Sequence, residues 1–93
     1  MKRSASMDQL FQSFLNLDSL DECYAYFEDL CTIKELSDMA QRLEVAALLD
    51  KGLSYQKISE QVDVSTATIG RVSKCLNYGP GGYKTTLKKL EEA

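Results

Sequence analysis

The sequence predicts an all-α protein of six helices built around a helix-turn-helix. Three observations carry that prediction. Apolar residues recur every third and fourth position along nearly the whole chain, and no long alternating run marks a strand. Serine, threonine or aspartate precedes most of the periodic runs, as helix starts require. Glycine and proline gather at Gly52 and in "NYGPGGY", where helices must stop. The 93 residues fit one domain, 1–93. A chain of this size buries only about 60–65% of the surface its unfolded form exposes, so association with a second copy is a natural supplement to the core.

Met7, Leu10, Phe11, Phe14 and Leu15 place a first helix over Ser6–Leu17. Asp18 or Ser19 caps a second, with Glu22 placed to reach back toward Ser19. Its stripe holds Leu20, Cys23, Tyr24, Phe27, Leu30 and Cys31. Thr32 caps a third, again with a carboxylate, Glu35, three residues on. Toward its end this helix reads "LEVAALL", apolar on nearly every side, which suits a central element. Gly52 is a left-handed stop for it. Ser54 caps a fourth helix, Tyr55 to Gln61 or Val62, and Ser65 a fifth, Thr66–Asn77. A last helix, Tyr83–Glu92, follows the glycine-proline break.

The fourth and fifth helices are separated by too few residues for anything but a tight turn. In a helix-turn-helix, two helices cross at about 90–120° over a short turn. The crossing needs a small residue in the first helix, a turn residue that tolerates the left-handed region, and apolar residues after the turn. Ser59, Asp63, Val64, Ile69 and Val72 fill those places, with Ile58, Val62 and Leu76 completing the inward set. Aspartate enters the left-handed region more easily than most residues. The motif spans 54–77. Its outward residues are Ser65, Thr66, Ala67, Gly70, Arg71 and Lys74, beside Thr68. Small side chains at a helix start let the backbone approach DNA base edges, and threonine and alanine suit a thymine methyl. The hydroxyls of Ser54, Ser65 and Thr66 can donate to phosphates. Gln56, Lys57, Arg71 and Lys74 complete a candidate DNA-contacting set, with Lys51 on its flank.

The net charge of −3 conceals an asymmetry. Residues 1–50 carry four cations against ten carboxylates (4 − 10 = −6), whereas residues 51–93 carry seven against four (7 − 4 = +3). A local field can therefore be positive although the whole chain is acidic. The same asymmetry leaves a second reading open: a helical dimeric interaction module that holds an acidic protein partner. No apolar run reaches the roughly 20 residues of a membrane span, and "MKRSAS" lacks the apolar segment of a signal peptide. Cys23, Cys31 and Cys75 are odd in number and without CxxC spacing, and histidine is absent. The chain is expected to be cytoplasmic, without a disulfide framework, metal site or cofactor. No acid pair or nucleophile–base arrangement has a recognisable spacing, so it is not expected to be an enzyme. Cys75, next to Leu76, is expected to be buried.

The stretch from Leu30 to Tyr83 resembles the Trp repressor superfamily. Within it, "RLEVAALLDKGLSYQKISEQVDVSTATIGRVSKCLNYGPGGY" is similar to the YerC/YecD branch of small bacterial Trp-repressor-related proteins. The resemblance implies an intertwined all-helical homodimer, the first three helices woven into the partner. It also implies a transcriptional regulator, in the first instance a repressor, that reads double-stranded DNA with the fourth and fifth helices. In Trp repressor the corepressor indole lies between two arginines, and a glycine follows the second. Arg71 matches the second arginine. For the first, Arg42 is near, while an ungapped match places Gln41 there. Val72 replaces the glycine and Cys75 an expected serine. Arg42, Arg71, Val72 and Cys75 are thus the candidate ligand set, and the departures predict that L-tryptophan is not the corepressor. A different small-molecule effector remains compatible with the sequence.

Overall fold

The computed structural model describes all residues, 1–93, and contains six helices and no strand: α1 (Ala5–Leu15), α2 (Leu20–Leu30), α3 (Ile33–Asp50), α4 (Tyr55–Gln61), α5 (Thr66–Tyr78) and α6 (Gly82–Glu92). Met1–Ile33 form one compact unit and Lys34–Ala93 another.

In the first unit, serines start both helices. Ser4 Oγ accepts from the Met7 amide at 3.1 Å, and Ser19 Oγ from the Glu22 amide at 3.1 Å. The first helix therefore starts one residue earlier than the apolar period suggests, because Ser4 supplies the cap. It ends two residues sooner, at Leu15. Phe14 joins the helices: its ring lies 4.9 Å from Phe27 and 6.0 Å, edge-on, from Tyr26. Ser13 donates to the Leu10 carbonyl at 2.5 Å and accepts from the Tyr26 hydroxyl at 2.7 Å. Yet neither helix holds a fully buried residue. Leu15, Leu20, Tyr24 and Ile33 are each 70% or more exposed.

The second unit holds the buried core. Val45 and Ala46 of α3, Ile58 of α4 and its cap Val62, Ile69, Val72 and Leu76 of α5, and Leu87 of α6 form one cluster. Ala47, Leu48, Leu49, Leu53, Val64 and Tyr83 pack against it. The apolar run of α3 is therefore central, as its composition predicts. Gly52 stops α3 at φ +89°, where its missing Cβ avoids the strain other residues meet. After α5, Gly79 is extended, and a Cβ there would collide with the Cys75 carbonyl oxygen. Gly81 then turns the chain into α6 at φ +94°. An ion pair from Lys84 to Asp50, 2.9 Å, ties α6 to the end of α3. No helix is long and apolar enough to cross a membrane.

Candidate nucleic-acid interface

The helix-turn-helix begins with Ser54, whose Oγ accepts from the Lys57 amide at 3.2 Å and starts α4. α4 buries Ile58 and is capped by the extended Val62. Gln56 and Lys57 face solvent. Ser65 starts α5: its Oγ accepts from the Thr68 amide at 3.2 Å and donates to Thr68 Oγ1 at 3.0 Å. α5 then buries Ile69, Val72 and Leu76 on one stripe.

The direction of α5 follows from its period. At about 100° per residue, Ala67, Lys74 and Tyr78 lie opposite the buried stripe, with Gly70 and Arg71 beside them. Ala67, Arg71, Lys74 and Tyr78 are exposed. Gly70 is half-buried, but a Cβ added to it would meet nothing within 4 Å. Thr66 is exposed at the helix start. The outward set is thus small at the N-terminus and cationic beyond it. Tyr78 belongs to this face and was not among the residues the sequence singled out. It is 85% exposed, one residue past the end the period suggests for α5.

Three expectations need correction. Asp63 is not left-handed: no residue other than glycine has a positive φ. The turn is instead made from extended residues, Val62 at φ −127° and Ser65 at φ −73°. Ser59 is exposed, so it does not lie beneath the helix crossing. Thr68 is half-buried and its Oγ1 accepts from the exposed Ser65 hydroxyl. Cys75 is exposed, since it lies about 95° round the helix from the middle of the buried stripe.

The candidate ligand residues divide. Arg42, Arg71 and Val72 meet at a cleft of about 270 Å³ between α3 and α5, together with Gln41, Lys34, Asp38 and Thr68. Cys75 is elsewhere, in an apolar depression with Leu43, Pro80 and Tyr83. In the cleft, Lys34 pairs with Asp38 at 2.9 Å, and Gln41 Nε2 donates to the Asp63 carbonyl at 2.7 Å. Val72 is 2% exposed, so its isopropyl group is packed into the protein where the resemblance has a glycine against the ligand.

The sequence model of the family described as "Trp repressor protein" matches residues 5–91, almost the whole chain. This protein belongs to the Trp repressor family. It is 51% identical over 90 residues to "Uncharacterized protein YerC" of Bacillus subtilis (strain 168), covering 97% of this chain and 86% of that one. The crystal structure of a TrpR like protein from Eubacterium eligens ATCC 27750 superposes with a TM-score of 0.92 at 45% identity, over 96% of this chain and 92% of that one. A Staphylococcus aureus crystal structure does so with a TM-score of 0.91 at 39% identity, over 96% and 89%. The six-helix, Trp-repressor-like fold expected from the sequence is therefore this chain's fold.

Proposed function

We propose that this protein is a sequence-specific, cytoplasmic DNA-binding transcriptional regulator, acting as a repressor. It works as a homodimer that reads the major groove with α5. One observation carries the reading: α5 is anchored by Ile69, Val72 and Leu76, while Ala67, Gly70, Arg71 and Lys74 project away from the core. Thr66 and Ala67 meet base edges. Arg71, Lys74, Lys57 and Lys51, together with the Ser54 and Tyr78 hydroxyls, meet phosphates. Phosphate contacts set register, and the few side chains at base edges set sequence preference. Membership of the Trp repressor family supports the same reading.

The dimer is supported by the first unit. α1 and α2 bury no residue fully and expose a set of large apolar side chains, which a second copy of the chain would cover. Both units then serve one DNA-binding domain, with the two α5 helices entering successive major grooves about 34 Å apart. The experiment is selection of bound fragments from genomic DNA, then salt titration on the enriched duplex. A reproducible enriched motif with two half-sites is the expected result. No binding to random or enriched duplex at low ionic strength would turn the reading toward an acidic protein partner for the same basic face.

A further inference from the structure

The turn between α4 and α5 lacks the feature that usually fixes such turns, a residue held in the left-handed region. Val62 and Ser65 are extended, and no non-glycine residue in the chain has a positive φ. A short extended linker has no strong local preference for one path. Val62 is buried and Val64 packs against the core, and Gln41 of α3 adds a tie from outside the turn: its Nε2 donates to the Asp63 carbonyl at 2.7 Å, across 22 residues of sequence. Gln41 is well placed for this. It sits one helical turn before Val45, which is completely buried, so its backbone is seated on the core. It also lines the cleft whose other wall is Thr68, Arg71 and Val72 of α5.

We propose that Gln41 is a positioning residue of the reader: its amide sets the path of the α4–α5 turn, so that α5 is aligned for DNA without a small-molecule effector. The inference rests on the DNA-binding reading above. A reader whose turn depended on an effector would have a binding-competent fraction below one until that molecule arrived. Here the protein supplies the hydrogen bond itself, and Val72 already occupies the adjoining space. Gln41 touches no DNA; it acts through the Asp63 carbonyl and the residues that follow.

Gln41→Met tests the idea, because it keeps length and neutrality and removes the donor. Gln41→Asn is the second variant, keeping the amide but shortening its reach. Three measurements apply: affinity for the duplex selected by the wild-type protein, amide hydrogen exchange, and dimer state with thermal midpoint. A hydrogen bond of ordinary net strength corresponds to at most about fivefold in affinity per reader, or about 25-fold when a dimer uses both. The expected result is that loss in both variants, an unchanged salt slope, and faster exchange confined to the hydrogen-bonded amides at the two ends of the turn, Val62 and Thr68, with the Val45 amide as protected as before. Wild-type affinity and exchange in Gln41→Met would overturn the proposal. So would a loss explained by a smaller folded or dimeric fraction with no selective change at the Val62 and Thr68 amides. So would extensively dialysed wild-type protein that binds the duplex only after L-tryptophan or the low-molecular-weight filtrate of a cell extract is added. Should the wild-type protein bind no duplex at all, the DNA-binding reading falls, and the exchange comparison alone still decides whether Gln41 holds the turn.

Discussion

If the basic side of the helix-turn-helix meets phosphates, Arg71→Ala changes the salt dependence of DNA binding by a calculable amount. Lys51, Lys57, Arg71 and Lys74 are exposed, and neither the Lys34–Asp38 nor the Lys84–Asp50 ion pair involves them. A dimer thus offers about eight cations to the duplex. Each phosphate neutralised contributes about 0.9 to the slope of log affinity against log salt, so full engagement gives a slope of about −7. Between 50 and 200 mM salt, affinity then falls by about four decades. Arg71→Ala removes about two cations per dimer, which lowers the slope to about −5.4 and the fall to about three decades. Because Arg71 is exposed and outside the core cluster, the variant should remain folded. Fluorescence anisotropy on a labelled duplex at five or six salt concentrations measures both slopes. Identical slopes for wild type and variant would show that Arg71 meets no phosphate. A wild-type slope near zero would remove the whole basic face from the argument.

Three further outcomes follow. Gly70→Leu faces open space in the free protein and replaces the poorer helix former, worth about 1 kcal/mol in a helix interior; its thermal midpoint should hold or rise while duplex binding weakens at least about tenfold, and unchanged binding would mean that this side of α5 stays clear of DNA. Ile69→Ala empties a site with no solvent exposure and should cost about 2–5 kcal/mol in denaturant unfolding; a cost under about 1 kcal/mol would place Ile69 outside the load it is assigned in the core. Calorimetric titration with L-tryptophan should show no saturable micromolar binding, since Val72 fills the space beside Arg71; a saturable isotherm with one site per chain would defeat that expectation.

Most of the fold was legible because it rests on local chemistry. Ser19, Ser54 and Ser65 each stand just before an apolar period and each accepts from an amide three residues on. Gly52 is left-handed where a helix had to stop. The inward set of the helix-turn-helix was legible for the same reason, since its spacing is the spacing of one helix face. The misreadings share a different cause. Assigning Asp63 to the left-handed region assumed that the turn solves its geometry within itself. The structure has Val62 and Val64 seated on the core and a hydrogen bond to the Asp63 carbonyl from Gln41, which stands 22 residues away, and no window of sequence around the turn contains that information. Cys75 was placed inward because it adjoins Leu76, yet adjacent helical residues diverge by about 100°. Tyr78 was missed because the apolar period ends α5 at Asn77, whereas the helix runs one residue further and Tyr78 extends the outward stripe one turn beyond Lys74.

The cleft between α3 and α5 bears on the same question from the other side. Arg71 lines it while also bordering the outward face of α5, so a single guanidinium stands between two uses. A carboxylate in the cleft would draw it inward and away from a phosphate. The cleft does contain one, Asp38, but Lys34 one turn earlier on α3 already pairs with it at 2.9 Å. That pair is solvent-exposed and adds little stability. Its consequence is electrostatic: it offsets the one negative charge positioned to compete for Arg71. With Gln41 committed to the turn and Val72 packed into the core, the remaining charges of the cleft are Arg42 and Arg71, both cations. An arrangement of this sign repels a cationic group and leaves the guanidinium of Arg71 outside both ion pairs of the chain, as the proposed phosphate contact requires.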